Sequence, residues 1–170
     1  MYRKARNFQK GFEKSRGNGI LFFHFKGENM DFHERLKSFL NENDHFAHEN
    51  GMTMLEVKEG YAVAELVSGD HHRNGYGMLM GGALYTLSDF AFAAASNSFG
   101  MKAVGMTTTS SFVRAGFGPA CERVRAVAKL VNKTRRTAVF DVDVLNSEGA
   151  ILVHSVMTAY ILAEPIFPEE

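Results

Sequence analysis

The stretch from Gly81 to Gly100 constrains this chain more than any other. Gly81-Gly82 is followed by eighteen residues, ALYTLSDFAFAAASNSFG, whose alanine, leucine and serine content favours one helix that stops at Gly100. Apolar side chains fall on nearly every side of it, so the helix is expected to be buried. Its small residues Ala91, Ala93, Ala94, Ala95 and Ser96 would let a sheet approach closely. Strand-like runs supply that sheet. Met52–Lys58 and Tyr61–Val67, joined through Glu59-Gly60, read as a hairpin ahead of the helix. After it come Lys102–Arg114, Cys121–Val131, Arg136–Leu145 and Ala150–Leu162. Arg136–Leu145 alternates cleanly, with Ala138, Phe140, Val142 and Val144 on one face and Asp141 and Asp143 on the other. A helix starting at Asp31 and Glu34, with Leu36, Phe39 and Leu40 at helical spacing, opens this part of the chain. A short helical piece, Asp44–Glu49, follows and ends at Asn50-Gly51, and Ser68–Met80 reads as a loop. Sequential connections favour antiparallel pairing. The expected fold is α+β: an antiparallel, five- to six-stranded curved sheet wrapped around a long central helix.

Composition removes other classes. With 45% hydrophobic and 22% charged residues over 170 positions, the chain is neither disordered nor fibrous, and its length suits one domain. Lys and Arg total 19, as do Asp and Glu, which argues against a nucleic-acid-binding surface spread over the chain. The single cysteine, Cys121, cannot form an intrachain disulfide or a thiolate cluster. No apolar run approaches the ~20 residues of a membrane helix. A soluble, cytoplasmic domain without membrane partners is expected.

The charge is uneven. Residues 1–29 hold seven basic and two acidic side chains, a net +5, so residues 30–170 carry net −5. A signal peptide does not fit, because His24 interrupts the short apolar run Gly19–Phe23 and no small-residue cleavage site follows. Residues 1–29 read as a basic leader outside the domain, with Met30 as the natural start. Lys26-Gly27-Glu28-Asn29 can be encoded by a purine-rich ribosome-binding sequence just upstream of that methionine. The domain would then span residues 30–170, with no internal repeat or linker.

Asp89 is the anomaly in the apolar helix. A buried carboxylate costs several kcal/mol unless it is paired or hydrogen-bonded. Taken alone, Asp89 fits a wet helix edge or a pairing with a nearby donor. Its neighbours add a second option. Gly81-Gly82 at the helix entrance leaves backbone N–H groups unpaired at the positive end of the helix, where an oxyanion can bind. An oxyanion donor and a general base together are the equipment of acyl transfer.

These residues carry a resemblance. Asn74-Gly75-Tyr76-Gly77-Met78-Leu79-Met80-Gly81-Gly82, followed by Ala83-Leu84-Tyr85-Thr86-Leu87-Ser88-Asp89, resembles the signature of the hotdog-fold acyl-CoA thioesterases, in the phenylacetate-degradation (PaaI-like) branch. That pattern is an Asn, then His-Gly-Gly, then an Asp on the central helix. The similarity continues through Asn97-Ser98-Phe99-Gly100 and Phe112-Val113-Arg114-Ala115-Gly116-Phe117 and covers roughly residues 31–163. The resemblance implies that Asp89 acts as general base or nucleophile and that the Gly81 N–H polarises the thioester carbonyl. It implies that Asn74 helps hold the acyl group or the attacking water, and that Thr107 helps position that water. Met80, Gly82 and Tyr85 would contact the substrate. The family's His is Met80 here, and a methionine cannot donate the hydrogen bond an imidazole gives. The backbone N–H of Gly81 survives the change. No metal or redox cofactor is implied, with coenzyme A entering only as part of the substrate.

Gly81 and Asp89 are eight residues apart, about 12 Å along a helix. Both must come within ~3 Å of the reacting atoms. If both take part, the Asp of one subunit meets the Gly81 N–H of another across antiparallel helices, which predicts an isologous homodimer with two shared sites. In the resembling family two sheets join edge to edge, and dimers often pair into tetramers. Arg114, Lys133, Arg135 and Arg136 are candidates for the CoA phosphates, each equally readable as a solvated surface cation. His71-His72 and His45/His48 fall short of a zinc site's convergent ligands. Two other readings stay open. One is a non-catalytic acyl-CoA sensor, motivated by Met80. The other is hydratase or dehydratase chemistry, which relatives perform with a histidine and an acidic partner.

Overall fold

The structure is a computed structural model, and it describes residues 30–168; the basic leader and the proposed start at Met30 concern residues outside that range or at its margin. Helix α1 (Phe32–Asn43) begins at Asp31, whose carboxylate accepts from the His33 N–H at 3.2 Å. Helix α2 (His45–Glu49) is capped by Asp44 in the same way, through the Ala47 N–H at 3.1 Å. Strands β1 (Met52–Lys58) and β2 (Tyr61–Val67) form the expected hairpin, which turns at Gly60 with φ +67°. Then come α3 (Gly81–Asn97), β3 (Met101–Phe112), β4 (Arg123–Lys133), β5 (Thr137–Leu145) and β6 (Ile151–Pro165).

The six strands form one antiparallel sheet in the order β1-β2-β4-β5-β6-β3. Adjacency in sequence favours β4 beside β3, but β3 pairs with β6 at the far edge. The Gly/Pro segment between β3 and β4 therefore carries the chain back across the end of the sheet. The reason lies in α3, which spans the sheet's inner face and delivers β3 to the edge opposite the hairpin.

Close approach of helix to sheet rests on alanine. Ala91, Ala94 and Ala95 on α3 face Ala62 and Ala64 of β2, Ala126 and Ala128 of β4 and Ala138 of β5, all with no measurable exposure. Larger groups fill the flanks, and Phe92 meets Phe140 edge to face at 5.5 Å. Burial of a side chain such as Phe140 contributes about 1.5–3 kcal/mol.

The helix departs from expectation in two ways. It ends at Asn97, before Gly100, because the following residues hold other elements. The Asn97 amide accepts from Ala103 N at 3.0 Å, and Ser98 Oγ accepts from Gly60 N at 2.7 Å. Nor is α3 buried all round. Gly82, Tyr85 and Asp89 are exposed along one stripe that continues through half-buried Thr86, Ala93 and Asn97. Asp89 thus lies on the helix's one open face and not in the core.

Candidate active site

The approach to α3 is a braced loop. His72 is buried, with its Nδ1 accepting from Gly69 N and its Nε2 facing Asn50 O, both at 2.9 Å. Those partners fix a neutral imidazole, and burial pushes its pKa below the usual value. The ring therefore serves the loop's shape. His72 O accepts from Met80 N at 2.8 Å, and Leu79 N donates to Gly116 O at 2.8 Å. Between these anchors Asn74 builds a narrow turn: its Oδ1 accepts from Tyr76 N at 2.9 Å and Met78 N at 3.2 Å. The Asn74 carboxamide oxygen, expected near the acyl group, is thus spent on shaping the loop.

The loop delivers Met80 as the residue before α3, with extended backbone and no side-chain cap. Met80 O accepts from the N–H groups of Ala83 and Leu84. The N–H groups of Gly81 and Gly82 donate to no acceptor among the described residues. A Cβ on Gly81 would come within 3.1 Å of the Phe112 ring, whereas one on Gly82 would meet only Met80 Cε at 3.9 Å. Phe112, at the end of β3 and 55% exposed, forms one wall beside the free amides, and Met80, 56% exposed, adjoins them. Neither wall supplies a proton.

Asp89 lies two turns further along the same face. It has no hydrogen-bond or ion-pair partner among the described residues. The carboxylate is open to solvent on the single chain, yet the neighbouring helices crowd it. Loss of hydration raises its pKa above the ordinary aspartate value, and the negative charge of Asp44 at the α1–α2 corner adds to the rise. A cavity of about 270 Å³ opens beside the first turn of α3, between α2, β1 and the His71-His72 loop. Gly82, Ala83 and Thr86 form its α3 side, so Asp89 stands one turn beyond it.

Other expected residues scatter. Thr107 pairs with Thr158, while Thr108 and Ser110 pair with buried Met157 and Ser155; Thr107 therefore lies on the sheet face turned away from α3. Arg114 is exposed just past Phe112, near Gly81. Lys133 sits 4.8 Å from the Phe99 ring, beyond the other end of α3. Exposed Arg135 accompanies it, and Arg136 donates to Tyr160 Oη at 2.6 Å. Within one chain these three cations are separated from Gly81 by the length of α3, roughly 25 Å. No group of three or more His, Cys, Asp or Glu side chains among the described residues is arranged to hold a metal. No described helix is long and apolar enough to cross a membrane. The sequence reading passed over Phe112, Phe46 and Asp44 as site residues. Asp44 was legible only as a helix cap, since its proximity to Asp89 arises from the α1–α2 corner.

Comparison with known proteins agrees with this architecture. The Thioesterase superfamily profile matches residues 76–153, the span from the braced loop into β6. A protein of Archaeoglobus fulgidus named "Putative esterase" is 32% identical over 147 residues, covering 86% of this chain and 94% of its own. The acyl-coenzyme A thioesterase PaaI of Escherichia coli is 35% identical over 107 residues, covering 63% of this chain and 75% of its own. The solved structure of the E. coli PaaI protein, from the phenylacetic acid degradation operon, matches with a TM-score of 0.74 and 27% identity, covering 79% of this chain and 96% of that one. A six-stranded antiparallel sheet curved around one helix defines a hotdog-fold protein. The chain belongs to the thioesterase superfamily, in its PaaI-like branch, and is a thioester hydrolase.

Proposed function

We propose that this enzyme hydrolyses acyl-CoA thioesters as a homodimer, with the Gly81 N–H of one subunit and Asp89 of the partner subunit acting on one carbonyl. The observation that carries the reading is the placing of two amides at the start of α3 and a carboxylate two turns along the same open face, all without a partner among the described residues, with the carboxyl pKa raised by lost hydration. The amide stabilises the oxyanion that forms when the carbonyl is attacked. Ionised Asp89 takes a proton from water as the water oxygen bonds to the carbonyl carbon. The tetrahedral intermediate then collapses, the C–S bond breaks, and the proton leaves on the CoA thiol.

The open edge of the sheet supports the dimer. Strand β3 has β6 on one side and, among the described residues, no strand on the other, and Val104, Met106 and Phe112 along it, with Val113 just past its end, are all at least half exposed. A two-fold antiparallel pairing of helices that sets Gly81 against Asp89 of the partner subunit has its midpoint at Tyr85. Tyr85 would then meet its own symmetry mate, which accounts for a 39% exposed aromatic on the open stripe of the helix. The same pairing carries Lys133, Arg135 and Arg136 of one chain past the Gly81 end of the other, where Arg114 already stands. CoA phosphates would find their cations there. Thr107 has no part in this arrangement, and Asn74 acts by holding the loop. The test is a panel of acyl-CoAs followed by thiol detection, run on wild type and Asp89→Asn. Hydrolysis lowered about a hundredfold or more in the variant is the expected result. Undiminished hydrolysis by the variant removes Asp89 from the mechanism.

A further inference from the structure

We propose that His71 is a catalytic residue, whose ring N–H donates to the thioester carbonyl oxygen alongside the backbone N–H groups at the start of α3. This rests on the reading of the chain as an acyl-CoA thioesterase and adds a side chain to its machinery. The side chains beside those amides leave a gap. Phe112 has no polar hydrogen, and Met80 carries only a thioether, a weak acceptor. On the helix wall the Thr86 hydroxyl already donates to Gly82 O at 2.9 Å. The loop ahead of α3 fills the gap. His71 lines the same cavity of about 270 Å³ as Met80, Gly82, Ala83 and Thr86. A space of that volume is roughly 8 Å across, so a side chain on its loop wall can meet an oxygen held at its helix wall.

The ring is held in place and its nitrogens are left open. It lies against the locked ring of His72, with centroids 3.8 Å apart and planes tilted by 44°. It also closes on the backbone of Gly69, where a Cβ would come within 3.0 Å of its Cε1 and 3.1 Å of its Nδ1. His72 cannot serve, because Gly69 N and Asn50 O occupy its two nitrogens. Neither nitrogen of His71 has a hydrogen-bond or ion-pair partner among the described residues. An imidazole carries at least one N–H in either charge state, so the donor is always present. In the reaction His71 keeps its proton. Its N–H stabilises the oxyanion while the water oxygen bonds to the carbonyl carbon, and the carbonyl re-forms as the C–S bond breaks.

The experiment follows acyl-CoA turnover and the binding of two stable probes to the full chain. One probe is hexanoyl-CoA with a methylene in place of the thioester sulfur, which keeps the carbonyl. The other is S-hexyl-CoA, which has none. His71→Ala should lower kcat about a hundredfold and raise KM no more than about fivefold. It should weaken the ketone about fivefold and leave the thioether bound as before. The melting temperature should hold, since the ring has no hydrogen bond to lose. His71→Gln, which keeps an N–H donor, should recover about tenfold of the lost kcat. Met80→His in the His71→Ala chain returns an imidazole to the same cavity and should recover a similar share. An unchanged kcat in His71→Ala overturns the inference, as does a loss that neither replacement donor recovers, or equal weakening of ketone and thioether. Absence of hydrolysis by the wild type sinks the thioesterase reading, while the two probes still decide whether His71 meets the carbonyl.

Discussion

The ring of Phe112 lies 3.1 Å from the point where a Cβ on Gly81 would sit, and 3.4 Å at its next nearest atom. Glycine at this position thus spares a tight contact with the half-exposed Phe112 ring and is not called for by backbone angle, since α3 is regular from its first residue. Gly81→Ala should push Phe112 aside and disturb the free amides. Overpacking in a closed core costs about 1–3 kcal/mol, and the half-exposed Phe112 ring places this contact at the low end of that range. A lower melting temperature and a clear loss of kcat are expected, with Phe112→Ala in the same chain recovering the stability. Gly82→Ala, with 3.9 Å of clearance, should leave the melting temperature nearly unchanged. Equal melting of the two single variants would refute the packing argument.

On the proposed mechanism Asp89 trades stability for chemistry. Its carboxyl has a pKa above the ordinary 3.8, chiefly through lost hydration. A carboxyl whose folded pKa is raised favours the folded state fully below the unfolded value, and that contribution is lost as pH rises through the folded pKa. Asp89→Asn, which never ionises, should therefore melt higher than wild type at pH 7, with the gap closing as pH falls through the raised folded pKa and gone below about 4. Thermal melts across pH check this. A variant that melts lower at every pH would mean that the carboxylate is stabilised by a partner.

Much of the fold was legible from local chemistry. The β1–β2 hairpin and the alternation along β5 were set by residues a few positions apart, and both formed as read. The edge position of β3 was not, because it depends on where α3 ends relative to the sheet. Gly81 and Asp89 stood out because each breaks a local rule, one by weakening a helix start and the other by charging an apolar helix. The exposed stripe on α3 was legible only at Asp89, as a wet edge, because alanines face either environment, so Ala93 at the open face and Ala94 in the core look alike in sequence. Phe112 was hidden for a similar reason: its partner Gly81 has no side chain to suggest a contact.

Asp44 should tune the base without touching substrate. It raises the Asp89 pKa through its charge while capping α2 through Oδ1. Asp44→Asn keeps a good capping group and removes the charge. The acid limb of the pH–rate profile should move to lower pH, because Asp89 ionises more easily, with melting temperature little changed. Asp44→Ala, which loses the cap as well, should show the same shift in the profile and a lower melting temperature by about 1 kcal/mol of helix stability. An unmoved acid limb in both variants would leave Asp44 a cap and nothing more.

The proposed shared site makes the most demanding prediction, because two inactive proteins should restore each other. Asp89→Asn lacks the base, and Gly81→Val displaces the amide. Each homodimer then has two broken sites. In a mixed dimer, intact Asp89 from one chain faces intact Gly81 from the other, giving one complete site and one doubly broken site. Random reassortment makes half the dimers mixed, so an equimolar mixture exchanged through mild denaturant should regain about a quarter of wild-type activity. Val104→Lys with Met106→Lys, which charge the open edge of β3, should yield monomers by sedimentation and remove that recovery. If each subunit instead holds a complete site of its own, the mixture stays as inactive as its components.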